Sequence, residues 1–144
     1  MKQEIKIDWL GKMQFEAQSG NHSIMLDASE EFGGEDAGMR PKPLMLVALA
    51  GCTGMDIISL LKKMRIEFSG LEIKVEGNLT DGVPAYYDAM HIVYLFKGKD
   101  LPMDKLEKIV SMSYEKYCGV AHVYKEIMPV TYEIRTEDDH TGKE

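Results

Sequence analysis

Two thiols, Cys52 and Cys118, are the only cysteines in the chain, and both stand where a thiol can be put to chemical use. Cys52 follows a small apolar run, residues 46–51, and opens a helix expected over 53–65, so the amides of a helix N-terminus would stabilise its thiolate. Gly51 and Gly54 flank it and leave room for a ligand to approach the sulfur. Cys118 lies far along the chain, so only the fold can join the pair. If it does, one thiol attacks and the other resolves, a role that needs proximity to a sulfenic acid rather than a low pKa. Both residues also read as small buried hydrophobes, the commonest place for a free cysteine.

Other polar residues bear on these thiols. Arg40, ahead of Pro41, is biased to an extended backbone from which its guanidinium can fold back over Cys52, or it is a solvated loop arginine. Asp56, one turn past Cys52, reads first as an acid favoured in the opening turn of a helix and second as a proton-transfer group. His22, His91, His122 and His140 have no partner at metal-binding spacing; His122, four residues past Cys118, is the one placed to tune a thiol. The eleven methionines fit as core filler or as the lining of a flexible apolar pocket.

The elements that must position these residues follow from hydrophobic period. Residues 4–10, 12–17 and 22–27 alternate and are separated by turn signals, which predicts an antiparallel three-stranded meander. Residues 28–39 are acidic and glycine-rich and read as a mobile surface loop. The run 44–50 is apolar on every side, so a helix there would be buried all round, with Cys52 at or near the start of the next helical stretch. Residues 71–77 and 87–96 predict a second hairpin. Asp100 and Pro102 cap and begin a helix over 103–117, which carries Leu106, Ile109, Val110 and Ser113 on one side and Cys118 at its end. A short helix over 119–128 and a strand over 130–135 complete the pattern, and residues 136–144 form a polar tail.

The chain has 144 residues, the size of one domain, and is read as a single domain over 1–135. Its net charge of −7 argues against a surface that tracks nucleic-acid phosphates. The longest apolar run, 43–51, falls short of a membrane span, and the first residues lack a signal-peptide core, so no membrane association and a cytoplasmic location are expected. In a reducing compartment two cysteines are more often free or redox-active than a structural bridge.

Arg40-Pro41-Lys42-Pro43, the run 44–50 and Gly51-Cys52-Thr53-Gly54-Met55-Asp56 together resemble the first-cysteine signature of the OsmC/Ohr family, the osmotically induced and organic hydroperoxide resistance proteins. Tyr117-Cys118-Gly119-Val120 resembles its second signature, at the family's spacing from the first, and the order of strands and helices agrees over 5–134. The resemblance implies an α+β, OsmC-like fold in which antiparallel sheets wrap around central helices in an intertwined homodimer. It also implies Cys52 as the peroxidatic thiol, Cys118 as the resolving thiol and Arg40 as the residue that holds Cys52 as thiolate. The implied activity is reduction of organic hydroperoxides, with a lipoylated protein or a thioredoxin-like dithiol as reductant and no metal or organic cofactor. One residue departs from the pattern: Pro43 stands where a glutamate that pairs with the arginine is expected. Glu35 or Asp36 from the loop would then replace it, or the arginine is held less firmly. That departure also motivates another class of function, a dimeric module that binds a hydrophobic or thiol-containing small molecule, beside which a redox sensor stands third.

Overall fold

A computed structural model describes residues 1–138. The chain runs β1 (Lys6–Gly11), β2 (Gln14–Ser19), β3 (His22–Leu26), a single 3-10 turn (Glu30–Phe32), α1 (Pro43–Lys63), β4 (Gly70–Leu79), β5 (Tyr87–Gly98), α2 (Met103–Met112), one π turn (Ser113–Tyr117), α3 (Gly119–Ile127) and β6 (Val130–Asp138). It divides into two compact units, Met1–Met45 and the residues from Leu46 onward, with the boundary in the first turn of α1.

The first unit is the expected antiparallel meander, with Ile7 opposite Ala17 and Ala17 opposite Ile24. The loop that follows is more ordered than its glycines and acids suggest. Asp27, only 3% exposed, accepts hydrogen bonds from the backbone N–H of Ala28 (2.7 Å), Ala37 (3.0 Å) and Glu35 (3.1 Å), and from Gln14 Nε2 (3.3 Å). Burial alone would raise the Asp27 pKa, but the N–H groups of Ala37, Ala28 and Glu35, with Gln14, outweigh it and hold the carboxyl below its ordinary value. Met39 closes the loop by exchanging backbone hydrogen bonds with Met25 and Asp27. Gly38 is required there, because a Cβ would lie 2.5 Å from the Met25 carbonyl oxygen.

The second unit packs helices on a sheet ordered β4-β5-β6. β4 and β5 form the expected hairpin, in which Ile73 pairs with Tyr94 and Val75 with Ile92. β6 joins β5 in parallel, Tyr94 beside Ile134, so this sheet is mixed and not wholly antiparallel. The reason is the crossover: α2 and α3 carry the chain back to the end of the sheet at which β5 begins. β6 also continues through Thr136, Glu137 and Asp138, since pairing with Phe96, Lys97 and Gly98 uses only backbone. The rest of the expected tail, including His140, lies outside the described residues.

α1 corrects the expected break at Cys52, for it is one continuous helix of 21 residues. Gly51 and Gly54 each cost about 1 kcal/mol relative to alanine in a helix. Leu49, Ile57 and Leu61 are fully buried, and each contributes about 1.5–3 kcal/mol, so burial carries the helix through the glycines. Gly54 also admits the sheet, since a Cβ there would stand 3.0 Å from Ile73 Cδ1. The helix is not buried all round within the chain: Val47 is 49% and Met55 77% exposed. By length and composition alone α1 suffices to cross a membrane, unlike the shorter run 43–51, and a core helix meets the same test.

Met90, Ile92, Tyr94 and Phe96 of β5 meet Leu106, Ile109 and Val110 of α2 in the core. Asp100 does not cap α2; it adopts φ 53°, and the extended Pro102 precedes the helix with no side-chain cap. The helix expected over 103–117 is divided at Ser113, where a π turn makes the Cys118 N–H donate to the Ser113 carbonyl at 2.8 Å.

Candidate functional site

Cys52 and Cys118 meet. The Cys118 thiol feels the thiol of Cys52 as a neighbour, and Cys52 packs partly buried against the core in which Cys118 is 3% exposed. Cys52 lies well inside α1, where backbone N–H groups are used in the helix ladder and the terminal dipole effect has faded. The expected activation of Cys52 by a helix N-terminus is therefore incorrect. The helix start belongs to the other thiol: Cys118, extended at φ −79° and ψ 105°, caps α3, and its sulfur accepts the Ala121 N–H at 3.3 Å.

That cap does not make Cys118 acidic. Burial pushes its thiol up, the Ala121 N–H lowers it, and the nearby Cys52 raises it again, against a smaller lowering by the Val120 N–H. The net pKa is about 11, against an ordinary 9.0.

A chain of buried hydroxyls runs beside the pair. Tyr94 Oη and Thr53 Oγ1 are 2.8 Å apart, Thr53 Oγ1 and Ser113 Oγ are 2.8 Å apart, and Ser113 Oγ donates to Asp56 Oδ2 at 2.9 Å. A hydroxyl has one proton, so the Ser113 bond to Asp56 fixes the rest: Thr53 donates to Ser113, and Tyr94 donates to Thr53. Burial is the main reason that the Tyr94 pKa rises to about 12; the Thr53 hydroxyl opposes this, and Cys118, Tyr132 and Asp56 add to it. Asp56, like Cys52, is too far inside α1 for the expected role at a helix start. The pattern of the chain did not single out Thr53 or Tyr94, and it counted Ser113 only among the apolar positions of its helix. A serine within an apolar stripe was the available signal.

Arg40 lies in the first unit. Its guanidinium makes an ion pair with Asp36 at 2.8 Å and donates to the Gly38 carbonyl at 3.0 Å. Asp36, one of the two loop acids placed to replace the missing glutamate, is its partner; Glu35 instead accepts from Lys12 at 2.9 Å and Gln14 at 3.0 Å.

His91 bonds Thr131 Oγ1 at 2.7 Å and Glu133 Oε1 at 2.9 Å. His122 contacts Cys118 through its backbone, N–H to carbonyl at 3.0 Å. Among the described residues no three His, Cys, Asp or Glu side chains are grouped to hold a metal ion. An open, largely apolar groove of about 870 Å³ runs along α1 and β4, lined by Val47, Gly54, Met55, Ile58, Leu71 and Ile73.

Residues 33–133, which include Arg40 and both cysteines, match the OsmC family model, described as OsmC-like protein. The chain is 25% identical over 130 residues to Protein YhfA of Escherichia coli K12, covering 90% of this chain and 94% of that one. The crystal structure of a hypothetical protein from Aquifex aeolicus VF5 superposes with a TM-score of 0.79 at 27% identity, covering 95% of this chain and 98% of that one. The organic hydroperoxide resistance protein OhrB of Bacillus subtilis shares the fold, with a TM-score of 0.65 at 18% identity and coverage of 94% and 98%. The chain belongs to the OsmC-like family.

Proposed function

We propose that this protein is a thiol-dependent peroxidase that reduces organic hydroperoxides. The observation that carries the reading is the proximity of Cys52, the more accessible thiol, to the buried Cys118. The Cys52 thiolate attacks the distal oxygen of ROOH; the O–O bond breaks, ROH leaves with a proton, and Cys52 becomes a sulfenic acid. The Cys118 sulfur then attacks that sulfur. The S–S bond forms, the S–O bond breaks, and the hydroxyl leaves as water with the Cys118 proton. An external dithiol, a lipoylated protein or a thioredoxin-like reductant, returns two electrons and two protons.

Arg40, held by Asp36, is the candidate for stabilising the thiolate and orienting the peroxide. The OhrB relative, named for organic hydroperoxide resistance, supports the substrate class. The exposed apolar face of α1 supports a homodimer, because a second copy would cover Val47 and Met55. The test is peroxide consumption by the purified protein with each dithiol. Turnover faster on cumene hydroperoxide than on hydrogen peroxide, and lost in Cys52→Ser, is expected. Stoichiometric binding without turnover would overturn the reading and favour the binding module.

A further inference from the structure

The two thiols are carried by segments far apart in the chain, and one residue touches both segments through different atoms. The Ser113 side chain is completely buried and reaches α1 twice, at Thr53, the residue after Cys52, and at Asp56, one turn past Cys52. The Ser113 carbonyl takes the Cys118 N–H across the π turn at 2.8 Å. In a regular α-helix that carbonyl would bond the residue four positions on; the π turn moves the bond to the fifth, which is the cysteine. Cys118 then leaves the turn extended and begins α3.

We propose that Ser113 is a positioning residue for disulfide formation: it pins the helix that carries Cys52 to the turn that carries Cys118, and so sets the approach of the two sulfurs. The proposal rests on the reading that these thiols form a disulfide. It concerns the second chemical step, in which the Cys118 sulfur displaces hydroxide, as water, from the Cys52 sulfenic acid. An S–S bond of about 2.05 Å tolerates little error in the two Cα positions. Cys118 is also mostly protonated near neutral pH, so its attack depends on being held in place more than on the abundance of its thiolate.

The pin has a direction. Because the Ser113 hydroxyl donates to Asp56, its lone pairs are left for Thr53, which in turn receives the Tyr94 proton. Losing either Asp56 as acceptor or Ser113 as donor leaves buried hydroxyls without their partners, and the turn is then free to shift relative to α1.

The test measures the tendency of Cys52 and Cys118 to pair without any peroxide. Purified full-length protein is equilibrated anaerobically in glutathione redox buffers, and the disulfide fraction is read by mass after alkylation. Ser113→Ala and Asp56→Ala are expected to lower the equilibrium constant for the disulfide about tenfold, which raises the reduction potential by about 30 mV. Thr53→Ser, which keeps its hydroxyl, is expected to stay within about twofold of the parent. A residue that served only stability would shift the unfolding midpoint and leave the potential in place. A potential unchanged in folded Ser113→Ala would overturn the proposal; if that variant does not fold, Asp56→Ala, at a partly exposed site, decides in the same way. Should the parent protein form no intramolecular disulfide, the peroxidase reading falls together with the proposal. A disulfide that forms equally well in parent and variants removes the proposal alone.

Discussion

The Cys118 sulfur accepts the Ala121 backbone N–H at 3.3 Å, so α3 starts on a buried thiol. A helix start favours a thiolate. Burial and the neighbouring Cys52 act the other way and prevail, leaving a thiol with a pKa of about 11 that takes part by proximity. Cys52, on the more open side of the pair, is left as the group that an external electrophile reaches first.

Alkylation is expected to separate the two thiols. Iodoacetamide at pH 8 should modify Cys52 and leave Cys118 unmodified in the folded, reduced protein. Because Cys52 raises the Cys118 pKa, Cys52→Ala should move the Cys118 titration downward; thiolate absorbance against pH measures it. A Cys118 midpoint that stays in place or rises would contradict the closeness of the two thiols.

The same shift makes stability depend on alkali. A thiol whose folded pKa is raised contributes stability that is complete below its unfolded value, near 9.0, and is lost as pH rises toward about 11. Tyr94, raised from 10.0 to about 12, continues the loss at higher pH. Urea unfolding of the reduced protein should show a fall of roughly 1–3 kcal/mol between pH 8 and 11, smaller in Cys118→Ala.

Asp27 organises the loop that bears Arg40. Asp27→Ala is expected to speed hydrogen exchange at the Ala28, Glu35 and Ala37 amides, which it accepts from, while β1 and β2 keep their protection. Its lowered pKa sets the sign in acid: the contribution is present above pH 3.8 and is lost as pH falls through the folded value. Unchanged exchange at those three amides would show that the loop is held by its turns alone.

Arg40→Ala should slow hydroperoxide reduction at least roughly tenfold, less than the 10²–10³ lost with a buried catalytic donor. Asp36→Asn should act in the same direction and more weakly, because it loosens the guanidinium without removing it. The Arg40–Asp36 pair is partly exposed and adds about 0–1 kcal/mol, so both variants should unfold near the parent midpoint. Steady-state rates alongside thermal unfolding distinguish a role in the reaction from a role in folding.

Met55→Glu places a charge on the open face of α1, where Met55 is 77% exposed. Sedimentation equilibrium is expected to give a dimer for the parent and at least roughly tenfold weaker association for the variant, with the monomer still folded, because a charge buried in an apolar contact is disfavoured. A monomeric parent at micromolar concentration would leave that face without a second copy to cover it.

Alternation by itself determined the meander and the β4–β5 hairpin, because pairing adjacent strands needs only a local period and a turn. It also marked both cysteines and the loop acids beside Arg40, of which Asp36 proved the partner. The continuity of α1 was not legible: Gly51 and Gly54 read as an interruption, and only the burial of Leu49, Ile57 and Leu61 outweighs their cost. That single fact moved Cys52 and Asp56 away from a helix start. The parallel placement of β6 and the π turn at Ser113 were likewise decided by packing, since a crossover and a ladder shifted by one residue leave no periodic signature. The meeting of Cys52 with Cys118, and of Thr53, Ser113, Tyr94 and Asp56 beside them, joins residues from α1, β5, the π turn and the start of α3. Local pattern can identify such residues by type, but only tertiary structure sets the distances at which they act.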